Sequence, residues 1–430
     1  MSIGLLDLND SNLQLWHRDA LVQSTGYALL QGGEYLFGAP ARAAARLQPR
    51  DINTRFWWQL STETLQPALG PARHTGDLVH AHLMELHAQA NGPDELLLAV
   101  PGSMAHEQLA LLLGIVQQCP FDAVGLVNRS VALGSLYSRG ERLFHLEIQL
   151  HQAVISELAD RGGQIELQRT IPLPGCGLLQ LQERLVELIS AEFVRQTRFD
   201  PRRKAATEQQ LYDELPAALR ALHTSAETNL DINGYQARVS RDQLQAAGKR
   251  LFDSAKETIG VLHPGDRVIA DPLTALLPGL TTAFGQLDIL QADDMHRALQ
   301  LHESRLVQRE QALSFITALP SSSSPRKHSG ASAGTFADTP DKPAPPPAPK
   351  PVCRATHLLT HHVAQPLIAS GTALAQGCEL YRSDEGWLLR GATAGTTVNR
   401  CPYQSGQTLD TGDIIDTGAG TTATLIEVRV

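Results

Sequence analysis

Long apolar runs are missing from this chain of 430 residues: no stretch approaches 18 uninterrupted apolar residues, so no spanning helix is expected. An excess of positive charge is missing as well. Lys and Arg number 36 against 45 Asp and Glu, a net charge of −9. A nucleic-acid partner is therefore not expected, because phosphate neutralisation needs a basic face. Cysteines are few and scattered: Cys119, Cys176, Cys353, Cys378 and Cys401, an odd number with no CxxC. Neither a zinc site nor a disulfide framework follows from that spacing, and a reducing cytoplasm is the expected compartment. Cys176, in Pro-Gly-Cys-Gly, stands as a candidate reactive thiol. The N-terminus has no basic region followed by an apolar core, so no signal peptide is expected. What is present is 42% apolar and 19% charged residues, the balance of a globular chain.

One composition break divides the sequence. From Pro320 to Pro351 it is rich in Ser, Ala and Pro. Such a segment buries too little apolar surface to offset its ordering entropy. A disordered linker is expected over 320–351, between a large domain at 1–319 and a small one at 352–430.

The large domain alternates strand and helix patterns. GLLDLNDSNLQLW (4–16) reads as a hairpin with a polar tip. HTGDLVHAHLMELHAQA (74–90) has apolar residues at helical spacing, and ELLLAVPGS (95–103) is a continuous apolar run ending in Pro-Gly, as a strand buried on both faces would be. A helix, the strand FDAVGLVN and another helix follow. Strand–helix–strand–helix implies an α/β domain with a parallel sheet. Residues 142–172 return to strand pattern, and helices are expected over 178–198, 205–225 and 239–258. A long last helix is expected over DDMHRALQLHESRLVQREQALSFI, from Asp293 to Ile316.

Two segments carry a resemblance: FGAPARAAARLQPRDINTRF (37–56) and LLLAVPGSMAHEQLALLLGIVQQCPFDAVGLVNRSVALGSLYS (96–138). They are similar, in order and spacing, to the nucleotide-binding domain of the DnaK-type heat-shock chaperones, within the actin-like ATPase superfamily. The resemblance implies a fold of two lobes and a cleft holding ATP and magnesium on glycine-rich hairpin tips.

The positions that would carry that chemistry depart from the family. The first phosphate loop reads Asp7-Leu8-Asn9-Asp10-Ser11, with a side chain at Asn9 in place of glycine. Asp10 sets an anion beside an anion, which at about 4 Å costs roughly 1 to 4 kcal/mol. Gln59 stands at the place of the catalytic lysine, and Arg129 at that of the catalytic glutamate. In the second phosphate loop His145 replaces Asp, and Glu147, Ile148 and Gln149 replace glycines. The adenosine loop reads Asp271-Pro272-Leu273. Arg220 is kept near the adenine-contacting helix, beside Leu219 and His223. Phosphoryl transfer rests on positioning and electrostatics, so the expectation is a pseudo-ATPase without catalytic residue, metal or cofactor. The alternative is a divergent ATPase or nucleotide sensor binding ATP and Mg, with Asp7, Asp10, Glu147 or Asp271 holding the metal. Trp57-Trp58 reads as core or interface.

Residues 357–430 read as short strands between Gly and Asp turns. Gly386, Trp387, Asn399, Leu409, Gly412, Asp413, Ile415 and Gly418 resemble the second half of a forkhead-associated domain, a β-sandwich that reads phosphothreonine. Arg382, Asn399 and Arg400 are its candidate phosphopeptide contacts. The function expected is a cytoplasmic scaffold whose partners are other proteins, with neither nucleic acid nor membrane.

Overall fold

A computed structural model describes residues 3–138, 142–285, 287–309, 312–322, 355–360, 363–375, 378–383, 386–393, 395–399, 401–409, 411–417 and 422–426. The chain divides into two compact units, 1–328 and 329–430. Residues 323–351 of the expected linker, and Arg400, lie outside the described residues.

The first unit is mixed α/β. Strands β1 (Gly4–Asp7) and β2 (Leu13–His17) form the opening hairpin, and β3 (Ala20–Ser24) extends it. Strands β4 (Ala28–Gln31), β5 (Glu34–Phe37) and β6 (Ile52–Asn53) make a small separate sheet, with helix α1 (Ala39–Ala44) between the last two. Helix α2 (Thr75–Gln89), β7 (Glu95–Val100), α3 (His106–Val116), β8 (Asp122–Asn128) and α4 (Arg129–Tyr137) follow. Next come β9 (Arg142–Ile148), β10 (Gln152–Arg161), β11 (Gln164–Pro174), α5 (Leu178–Thr197) and α6 (Ala205–Thr224). The hairpin β12 (Glu227–Ile232) and β13 (Tyr235–Ser240) leads into α7 (Arg241–Ile259). The unit continues through β14 (Arg267–Ala270), α8 (Pro272–Ala275), α9 (Leu280–Ala283), β15 (Leu287–Ile289) and α10 (Asp294–Leu306). It closes with β16 (Phe315–Ile316) and β17 (Ala318–Pro320).

Local chemistry accounts for several boundaries. Helix α7 begins in a capping box: Ser240 Oγ accepts from the Gln243 N–H, and Gln243 Oε1 accepts from the Ser240 N–H. Asn233-Gly234 joins β12 to β13 with both residues at positive φ, the two-residue hairpin geometry that Asn-Gly favours. Helix α4 is capped by Asn128, whose side chain accepts from the Val131 N–H at 3.1 Å. Nearly every residue of α4 is buried, which its run of Ser, Val, Ala, Leu and Gly allows.

Two six-stranded sheets organise the unit, in the orders β16-β8-β7-β1-β2-β3 and β15-β14-β9-β10-β11-β17. They share a pattern. In each, the first strand is antiparallel to the second and parallel to the fourth, and the fifth lies outside the fourth. An apolar cluster containing Leu97, Val127, Val131, Leu133, Leu158, Ile269 and Leu299 draws on both sheets and on α4 and α10. A second, built around Phe144, Phe193 and Leu251, packs α5, α6 and α7 against the second sheet. Cys176 belongs to that core at 2% exposure, so it is not the accessible thiol the sequence suggested.

The expected last helix is shorter than its pattern. It ends at Leu306, and the Gln308 N–H then donates to Val124 O at 2.7 Å. Phe315–Ile316 pairs with β8 as a parallel edge strand. The edge of the sheet takes these backbone groups, and that outweighs helix propensity. The chain also stays bonded past residue 319: β17 pairs with β11, and Ser321 and Ser322 donate to Gly163 O and Ser135 O.

In the second unit β18 (His357–Thr360), β19 (Val363–Pro366), β20 (Thr372–Ala375), β21 (Cys378–Ser383), β22 (Gly386–Arg390), β23 (Thr397–Val398), β24 (Cys401–Pro402), β25 (Ile414–Asp416) and β26 (Thr422–Ile426) form two antiparallel sheets. Leu358 and Leu425 from one sheet share an apolar cluster with Leu380 and Leu389 from the other. Among the described residues no helix is long and apolar enough to cross a membrane.

Candidate functional site

The hairpin tips of the two sheets meet. The Asn9 side chain donates to Ile148 O at 3.2 Å, and Ser11 Oγ donates to the same carbonyl at 2.8 Å. In return the Leu150 N–H donates to Asp10 Oδ1 at 2.8 Å. The tip residues 9–11 are all buried. Their side chains reach across and bond the second hairpin. Helix α5 closes the arrangement from behind: its Leu178 and Leu179 N–H groups donate to Gln149 O and Leu150 O. Gly177 permits this approach, since a Cβ there would lie 2.3 Å from the His151 carbonyl carbon.

Beside the tips lies a buried charge cluster built on Arg129. Its Nε donates to Asp7 Oδ1 at 2.7 Å, and its two terminal nitrogens grip the Asp271 carboxylate at 2.9 and 3.1 Å. Glu147 Oε2 lies 3.3 Å from Nη1. His145 Nε2 is 3.6 Å from Asp271, and His145 Nδ1 is hydrogen-bonded to Ser130 Oγ at 2.8 Å. These side chains come from β1, the N-terminus of α4, β9 and the end of β14, so the cluster ties the two sheets together.

Burial sets the electrostatics. It raises Asp7 to about 6, against the pull of Arg129. It raises Asp10 to about 7, against the Leu150 N–H. Burial pushes Asp271 the same way, but the guanidinium and His145 hold it well below the usual carboxylate range. For Arg129 the surrounding Asp271, Asp7 and Glu147 carboxylates outweigh burial and fix the positive charge.

The remaining space is small. Gln149 bonds to Ser103, Glu147 and Gln152. Trp58 stacks on His151, with ring centroids 5.0 Å apart, and its carbonyl accepts from Gln108. The pocket between Asp10, Trp58, Ser103 and Gln149 holds about 30 Å³, room for one or two waters. A second pocket of about 130 Å³ reaches Asp7, Arg129 and Asp271 from the side of Pro272, Leu290 and Met295. That is less than the several hundred Å³ usual for an organic ligand. Magnesium and a triphosphate do not fit these residues: the carboxylates already face an internal cation, and the tips bond one another.

The structure thus brings together Asp7, Arg129, His145, Glu147 and Asp271, and sets Asn9, Asp10 and Ser11 beside them. Gln59 and Arg220 do not join: both are exposed, and Gln59 lines a separate surface groove with Thr75. Ser130 and Leu150 were missed as members of the site. Trp57 is core, its indole N–H donating to His82 Nδ1 at 3.1 Å. In the second unit Asn399 uses its side chain on Asp413 and the Ile414 N–H, which occupies it with its own turn. Arg382 lies 5.9 Å from the centre of the Trp387 ring. No protein-family model matches the chain, and no curated protein matches it significantly. Among the described residues no group of three or more His, Cys, Asp or Glu is placed to hold a metal ion.

Proposed function

We propose that the chain is a catalytically silent relative of the actin-like, DnaK-type ATPases that acts as a protein-interaction scaffold in the cytoplasm. The first unit is on this reading a two-lobed actin-like domain, and the second a β-sandwich similar to forkhead-associated domains. The repeated strand order, with one hairpin tip from each sheet meeting at a single point, supports the fold. The observation that carries the function is Arg129. A cation held by three buried carboxylates stands where a catalytic carboxylate and a bound metal would be needed. Such a domain keeps one closed shape, and a tether to a second binding unit raises the effective concentration of each for a shared partner.

Phosphate release from Mg-ATP by the full chain tests the silent site. The rate is expected to equal the buffer background and to be the same in Asp7→Asn. Release above background that Asp7→Asn abolishes would overturn the proposal in favour of a divergent ATPase.

A further inference from the structure

Away from the charge cluster, the first unit contains a cavity of about 360 Å³ between the α1 segment and the facing ends of α5 and α6. That is large enough for a small organic ligand. Its wall includes Tyr27, Arg42, Arg46, Arg55, Glu183 and Tyr212. Arg46 is paired with Glu183 and lies 4.0 Å over the Tyr212 ring. Arg42 donates to the Tyr212 carbonyl at 2.9 Å. Neither Arg42 nor Arg55 has a carboxylate partner among the described residues. Three guanidiniums against one carboxylate leave two positive charges on this wall, in a chain whose net charge is −9.

Tyr212 closes one side of this wall: it is 6% exposed, its ring lies under Arg46, and its hydroxyl is shut off from the open space. Burial and the neighbouring Glu183 carboxylate raise its pKa.

We infer that this cavity binds a small organic phosphate monoester. Two uncompensated guanidinium forks match the two charges of a phosphate monoester and its acceptor oxygens. The cavity volume leaves space for a ring or short chain beside the phosphate, and excludes a folded partner.

Calorimetry on the full chain tests this with phenyl phosphate, glucose 6-phosphate, a phosphoserine peptide and inorganic phosphate as separate titrants. Phenyl phosphate or glucose 6-phosphate is expected to bind tighter than about 1 mM. Arg42→Gln combined with Arg55→Gln should weaken that binding by about tenfold or more. Arg220→Gln, at an exposed residue outside the cavity, should leave it unchanged. Absence of binding by both small esters would overturn the inference, as would binding that survives the double variant. Inorganic phosphate or the peptide binding as tightly as the small esters would overturn the choice of ligand.

Discussion

Arg129→Met is expected to destabilise the first unit by roughly 3–5 kcal/mol at pH 8, the usual cost of removing one partner from a buried ionic network. Asp7, Glu147 and Asp271 would face one another without a cation, in a site where all three are at least nine-tenths buried. Tryptophan fluorescence should follow the loss, because Trp16, Trp57 and Trp58 all belong to that unit. A fall in Tm of about 10 °C is the matching thermal figure. The deficit should shrink toward pH 5, where carboxyls without the cation accept protons. Adding Asp7→Asn and Asp271→Asn to Arg129→Met should recover much of the loss, since it removes two of the three unpaired charges. No change in stability on Arg129→Met at pH 8 would mean that the cluster does not tie the sheets together.

Asp10→Asn is expected to stabilise the protein at high pH. The native carboxyl titrates near 7 rather than near 3.8, so between about pH 4 and 7 the folded state holds a proton that the unfolded chain has released. Folded stability from this group is therefore fully present below about pH 4 and is lost as pH rises through 7. The upper limit of the loss is about 4 kcal/mol, three pKa units at 1.36 kcal/mol each. Asp7 acts in the same direction up to about pH 6. His82, buried neutral and titrating near 3, acts in the opposite direction between 3 and 6.5, so the parent profile is a sum of opposed slopes. The difference between Asp10→Asn and the parent isolates one group. An asparagine Oδ1 still accepts the Leu150 N–H. Urea unfolding at pH 4, 6 and 8 should show nearly equal stability at pH 4 and a gain for the variant that grows to pH 8. A variant less stable than the parent at pH 8 would show that the ionised carboxylate is favoured there.

Much of this architecture is legible in the sequence because it is written locally. Continuous apolar runs mark β7 and β8, the helical spacing in 74–90 marks α2, and Asn233-Gly234 marks a tight hairpin. The end of α10 is not written locally. No Gly or Pro stops it, and the decision rests on a backbone bond from Gln308 to Val124, 184 positions earlier in the chain. The site shows the same division. Arg129, His145, Glu147 and Asp271 stand out one by one as departures from the pattern that the resemblance implies, and Asp7 as a position that keeps it. That they form a single network is a tertiary fact, since Arg129 lies 122 residues from Asp7 and 142 from Asp271. Asn9 and Asp10 read as obstacles to phosphate, whereas their side chains serve as bonds to the second hairpin. Arg42, Arg46 and Arg55, within 14 positions of one another, carry the local part of the charged wall. Tyr212, its other wall, is 166 residues beyond Arg46 and could not have been paired with it by pattern.

Isothermal titration of Mg-ATP into the full chain is the most direct measurement of whether the space between the two hairpin tips is closed by the chain's own side chains. No heat of binding is expected up to millimolar nucleotide, in the parent and in Asp7→Asn alike. Saturable binding at micromolar affinity, lost in Asp7→Asn, would contradict it, because Arg129 would then have to leave its carboxylates and the two hairpin tips part to admit the phosphates.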